Sequence, residues 1–185
     1  MEEVIYNDLN KQMKNTIDHY TLEMSKIRTG RASTAMLDSV KVDYYGSRQS
    51  LKNIAHFSVP EPQLIVITPF DPSSLEMIES AIISSDLDMS PNNDGSVIRL
   101  NVPALTEERR QELIKFVHKI IEEGRVSIRN FRREANDKLK SLQKNEGLSE
   151  DNLKRALENV QESVDSSIAK LGELEKSKEK EFSSN

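Results

Sequence analysis

The sequence predicts an α+β fold in two domains: a long antiparallel three-helix bundle with a small β/α/β domain inserted after its first helix. Three observations predict it. Apolar residues recur every three or four positions in three long stretches. One stretch lies before residue 30 and the other two after residue 105. Between them the pattern changes to short β-branched runs parted by Pro, Gly and Asn.

The first stretch carries Ile5, Leu9, Met13, Ile17, Tyr20, Met24 and Ile27, an amphipathic helix over about residues 2–28 that stops near Thr29-Gly30. The second begins after Pro103, with Thr106 as N-cap and Glu107 and Glu108 at the positive end of the helix dipole. Its stripe runs Leu113, Val117, Ile120, Ile121, Gly124, Ile128, Phe131, Ala135, Leu139 and Leu142, and Gly147 ends it. The third starts at Ser149 and carries Leu153, Leu157, Val160, Val164, Ile168, Leu171 and Leu174; the closing "KSKEKEFSSN" is expected to fray. None of these helices buries its stripe alone, but three together do.

In the insert, "SVKVDYYG" alternates as a strand, and "NIAHFSV" (53–59) and "LIVITPF" (64–70) are two more, parted by Pro60-Glu61-Pro62. Asp71-Pro72 opens a helix with Leu75, Ile78 and Ile82, Asn92-Asn93-Asp94-Gly95 is a turn, and "SVIRLNV" closes the module as a strand. The bundle is thus expected from 1–30 and 105–185, and the insert from 31–104. Gly30, Arg31, Pro103 and Ala104 stand at the two crossings, where a hinge is expected.

Composition narrows the function classes. Of 185 residues, 36% are hydrophobic and 31% charged, and Trp is absent, which suits narrow-striped helices better than a large compact core. With no cysteine, disulfides, thiol catalysis and zinc–thiolate sites are excluded. No apolar run approaches the roughly 18 residues of a membrane span. The acidic "MEEVIYNDLNKQ" start resembles neither a signal nor a transit peptide, so a cytoplasmic protein is expected. His19, His56 and His118 are dispersed, and none has metal-ligand spacing with another His or a carboxylate, so no metal site and no cofactor are expected. Asp86, Asp88 and Asp94 lack the Glu that would close a calcium loop, and no P-loop, dinucleotide fingerprint or nucleophile elbow occurs. No enzymatic chemistry is expected.

The net charge is −5, yet residues 107–144 hold eleven basic and seven acidic groups, a local +4. Within "RVSIRNFRREAND" (125–137), Arg125, Arg129, Arg132 and Arg133 fall on one flank of the helix. With Ile128 at the origin of a helical wheel they lie at roughly 40° to 140°, together with Lys140, beside the apolar seam. Glu123, Glu134 and Asp137 lie on the other flank, and Glu122 is the one acid within the basic sector. Two readings stand: a solvated face laced with ion pairs, or a stripe for a phosphate-bearing partner, to which Arg forks are suited. Lys26, Arg28 and Arg31 form a second basic group, either cations at a helix C-terminus or a further contact. An oligomerising coiled-coil scaffold is a rival; three stripes in one chain satisfy each other and favour a monomer.

"SKIRTGRAS" (25–33), "SDLDMSPNNDGSVIRL" (85–100), "LTEERRQELIKFVHKIIEEGRVSIRNFRREANDKLK" (105–140) and "LSEDNLKRALENVQ" (148–161) closely resemble the ribosome recycling factor family, and the similarity runs through essentially the whole chain. The resemblance implies an L-shaped, tRNA-sized protein with a flexible double linker. It implies binding to the large ribosomal subunit across the A and P tRNA sites. With elongation factor G and GTP, such a protein splits the post-termination complex and promotes release of messenger RNA and deacylated tRNA. It further implies ribosomal RNA contacts by Arg132 first, then Arg129, Arg133, Arg125 and Arg28, with Arg31 at the hinge; Lys140 joins them from the stripe. The insert would face the elongation factor. Arg48 and Ser50 stand where many members carry prolines, Thr34 where proline is common, and Gly172 where many have Asp.

Overall fold

The computed structural model describes residues 1–183, and they divide into two compact units, each with its own packing. One comprises Met1–Arg28 and residues 107–183; the other comprises Thr29–Thr106.

The first unit is three helices, α1 (Glu2–Lys26), α3 (Glu107–Glu146) and α4 (Glu150–Ser183), each packed against both others. Side-chain pairs fix their directions. Tyr6 and Met13 of α1 meet Ser163 and Ser167 of α4, so these two run parallel. His118 and, further along α3, Arg125 meet Glu179 and then Glu175 of α4, so α3 runs against α4 and therefore against α1 as well. The seam is Leu9, Met13 and Met24 from α1, Val117, Ile121, Ile128, Ala135 and Leu139 from α3, and Val160, Val164, Leu171 and Phe182 from α4. Gly124 lets the three helices come close at this level. A Cβ there would lie 3.0 Å from the Tyr20 ring and 3.1 Å from Leu171, on two different helices.

Two ends differ from expectation. Helix α1 stops at Lys26, and Ile27 is already extended, so Arg28 lies beyond the helix terminus instead of in its last turn. The closing segment does not fray over its described part: α4 continues through Ser183, with Phe182 at 0% exposure. Ser184 and Asn185 lie outside the described residues. Leu171, Lys178 and Phe182 follow one another at heptad-like spacing, and Lys178 occupies the middle place, where its aliphatic stem is covered. A lysine in the seam hides the stripe from a hydropathy count.

The second unit has a helix, α2 (Leu75–Ile83), and two antiparallel sheets. A hairpin pairs β1 (Lys41–Tyr44) with β2 (Ser47–Ser50). A four-stranded sheet has the order β3-β4-β6-β5, from β3 (Ala55–Glu61), β4 (Leu64–Pro69), β5 (Pro91–Asn93) and β6 (Ile98–Asn101). Ile65, Ile67, Ile98 and Leu100 alternate inward and meet Ile78 and Ile82 of α2, with Leu37, Val42 and Leu51 completing the core. Asp71 caps a 3-10 turn (Pro72–Ser74) ahead of α2, its carboxylate accepting the Ser73 N–H at 3.0 Å.

Strand β2 was not expected, because "SRQS" has no apolar alternation. It forms because Tyr45 (φ 49°) and Gly46 (φ 82°) make a two-residue turn with both residues left-handed, the geometry that closes a twisted hairpin. Likewise Asn92 and Asn93, expected in a turn, lie in edge strand β5, and the turn itself begins at Asp94. The Asp94 carboxylate accepts the N–H groups of Val97 and Ser96, each at 2.9 Å, and pairs with Arg99. The Val97 and Ser96 bonds, with Arg99 behind them, hold its carboxyl down at about 2.

The two chain crossings sit side by side on this unit. The Ala32 N–H donates to the Pro62 carbonyl at 2.7 Å and the Val102 N–H to the neighbouring Gln63 carbonyl at 2.8 Å. Both crossings are therefore pinned to the turn between β3 and β4. Gly30 has φ 78°, a left-handed conformation that a side chain would strain.

Candidate nucleic-acid interface

Helix α3 supplies the rod on which the basic stripe is mounted. Its 40 residues extend about 60 Å, and buried Ile121, Ile128, Ala135 and Leu139 fix its rotation against α1 and α4. That rotation decides which flank faces solvent. Arg133 and Lys140 are exposed, whereas Arg125, Arg129 and Arg132 are half-buried, their stems lying along the bundle and their heads at its edge.

The structure divides the stripe in two. At the inner end, Arg125 Nη2 donates to Glu175 Oε2 of α4 at 2.5 Å, and its Nη1 donates to Glu122 Oε2 at 3.4 Å. Side-chain exposures of 24% and 15% make the Arg125–Glu175 pair a partly desolvated link between helices, not a surface contact. Arg129 Nη1 donates to Glu122 Oε1 at 3.1 Å. Glu122, the acid within the basic sector, thus holds both arginines. At the outer end, Arg132, Arg133 and Lys140 make no ion pair or side-chain hydrogen bond among the described residues. Their donors remain available to an external acceptor.

A helical wheel of α3 alone does not reveal Glu175, fifty positions away in sequence. It therefore overstates how free Arg125 is. Arg28 is also unpaired among the described residues, but it is not beside the outer arginines. With Tyr20 facing Gly124, the end of α1 and the level of Arg132 are separated by roughly 20 Å along the bundle axis. The structure thus shows two basic groups, one along α3 and one past the end of α1.

His118 also differs from the expectation of an isolated surface or core residue. Its Nε2 contacts Glu179 and lies 3.7 Å from Glu175 Oε1, both on α4. Sequence spacing within one helix carries no trace of this cluster, because the helices bring it together.

Chemically, the outer stripe is a set of guanidinium and ammonium donors on a rigid support with a polyanion-sized reach. Planar Arg forks pair with phosphate oxygens at two points and stack on bases. Mounting them on one packed helix limits the conformational entropy lost when they engage together. None of the described helices is long and apolar enough to cross a membrane.

Known proteins place the chain. The family model for ribosome recycling factor matches residues 20–182. The ribosome-recycling factor of Geobacillus sp. (strain WCH70) is 47% identical over 181 residues, and that of Bacillus pumilus (strain SAFR-032) 45% over 182; in each case the match covers 98% of both chains. Among solved structures, the solution structure of a ribosome recycling factor superposes with a TM-score of 0.78 at 44% identity, over 100% of this chain and 98% of that one. A second likeness has a TM-score of 0.65 at 42% identity, covering 98% of each chain. It is the T. thermophilus ribosome recycling factor in models with E. coli elongation factor G bound to the E. coli post-termination complex. Sequence over nearly the full length and fold over the same span agree: the chain belongs to the ribosome recycling factor family.

Proposed function

We propose that this chain recycles ribosomes after translation termination. It binds the large subunit across the A and P tRNA sites through ribosomal RNA. Together with elongation factor G and GTP it splits the post-termination complex, and messenger RNA and deacylated tRNA leave. The protein works as a cytoplasmic monomer and makes or breaks no covalent bond; GTP hydrolysis by the elongation factor supplies the energy.

The observation that carries this reading is the unpaired outer stripe. Arg132, Arg133 and Lys140 stand on a packed helix with no carboxylate partner among the described residues, inside a chain whose net charge is −5. Arg132 is the central RNA contact, and Arg129 joins it by exchanging Glu122 for phosphate. Arg28 makes a separate contact from the far end of the bundle. Arg125 chiefly holds α4 against α3. Gly30 and Arg31 on one crossing, with Pro103 and Ala104 on the other, form the hinge about which the inserted unit changes orientation under the elongation factor.

Binding of the intact protein to isolated large subunits across a salt series tests the contact. Arg132→Glu is expected to weaken binding by about 10- to 100-fold. It should also lower the log–log salt slope by about one, since one phosphate fewer is neutralised on binding. Unchanged affinity and slope would remove Arg132 from the interface.

A further inference from the structure

Helices α3 and α4 bring together three ligating side chains, of which only Glu175 touches the basic stripe, through Arg125. His118 lies on α3; Glu175 and Glu179 lie one turn apart on α4 and so share a face. His118 Nε2 touches Glu179 Oε1 and stands 3.7 Å from Glu175 Oε1. One ligand atom from each of the three lies within 4.8 Å of the others. Atoms bonded to one zinc-sized ion at about 2.0–2.2 Å stand roughly 3–3.5 Å from each other. Closing this cage on an ion therefore requires only small side-chain movements.

A second feature points the same way. The two oxygens of Glu175 are divided between two jobs: Oε2 accepts from Arg125 at 2.5 Å, leaving Oε1 turned toward His118. A carboxylate oriented by an outer hydrogen bond is the usual support of a metal ligand. Charge is also consistent. Two carboxylates beside one guanidinium leave a net charge of −1, which favours a cation.

We propose that His118, Glu175 and Glu179 form a binding site for a divalent transition-metal ion of the zinc type, bridging α3 and α4. One imidazole and two carboxylates are a borderline nitrogen–oxygen donor set, suited to zinc and poorly suited to magnesium or calcium, which take oxygen ligands. His118 has 51% side-chain exposure, so solvent fills the remaining coordination positions and the ion exchanges with the medium. The bound ion clamps the C-terminal part of α4 onto α3.

The test uses the full-length protein, stripped with EDTA and titrated with zinc chloride alone. Calorimetry, thermal unfolding and the histidine ring resonances are the readouts, each variant being compared with its own metal-free baseline. The expected result is saturable one-to-one binding at micromolar or lower concentration. The melting temperature should rise with zinc as mass action requires, and the His118 ring signals should shift while those of His19 and His56 stay. His118→Ala and Glu179→Gln should each weaken binding at least 10-fold, with His19→Ala unaffected. No saturable zinc effect up to millimolar concentration, or wild-type affinity in His118→Ala, would overturn the site and leave a histidine–carboxylate contact only.

Discussion

Arg125 and Arg132 lie two turns apart on one helix and have opposite surroundings. Arg125 is linked to Glu175 across the helix interface, and removing it leaves that carboxylate partly buried without its partner. Arg125→Ala is expected to lower unfolding stability by about 1–2 kcal/mol. Arg132→Ala, which breaks no internal pair, should stay within about 0.5 kcal/mol of the parent. Urea unfolding of the two variants distinguishes them, and equal losses would contradict the division of the stripe. Asp94 gives a pH prediction at the same scale. Its folded-state pKa is held down at about 2 by the Val97 and Ser96 N–H bonds and Arg99, against 3.8 unperturbed. A depressed carboxyl stabilises the fold fully above its unfolded pKa, and that contribution is lost as pH falls from about 4 through 2. Asp94→Ala should therefore flatten the acid-side loss of stability, as followed by exchange protection of the β5–β6 amides between pH 2 and 5. An unchanged slope would show that the turn does not depend on this carboxylate.

Two glycines in helices make opposite predictions at the scale of the element. Gly124 has Tyr20 and Leu171 close against it from two sides, so an added methyl must push both side chains back by a few tenths of an ångström. Gly124→Ala is expected to destabilise the bundle by about 1–3 kcal/mol in spite of better helix propensity. Gly172, with nothing within 4 Å of its would-be Cβ, should gain up to about 1 kcal/mol on Gly172→Ala. Chemical denaturation of both variants checks the signs. The same elements show what the sequence made legible. The three long helices were readable because Leu, Ile and Val recur at helical spacing over many turns. The end of α4 was not, since Lys178 fills a seam position with its stem. Strand β2 was hidden because "SRQS" owes its conformation to the Tyr45-Gly46 turn and to pairing with β1, neither of which is a property of those four residues.

For the whole molecule, the basic stripe was visible on one helix, while its division into paired and unpaired halves was not, because Glu175 comes from another helix. The His118 cluster was invisible for the same reason. The hinge assignment also belongs to this scale. Gly30 holds φ 78°, where a Cβ costs about 1–2 kcal/mol. Gly30→Val is expected to leave large-subunit affinity within about 3-fold, a change under 0.7 kcal/mol. Its splitting rate should fall about 10-fold, or 1.4 kcal/mol of barrier. Losses of binding and splitting in equal measure would make Gly30 a binding residue instead. The most direct test of the whole account is light scattering of post-termination ribosomes mixed with this protein, elongation factor G and GTP, beside a folded Arg132→Glu variant. The account predicts a fall in scattering with the wild type and little or none with the variant. Ribosomes left intact by the wild type, or split equally by both proteins, would contradict it.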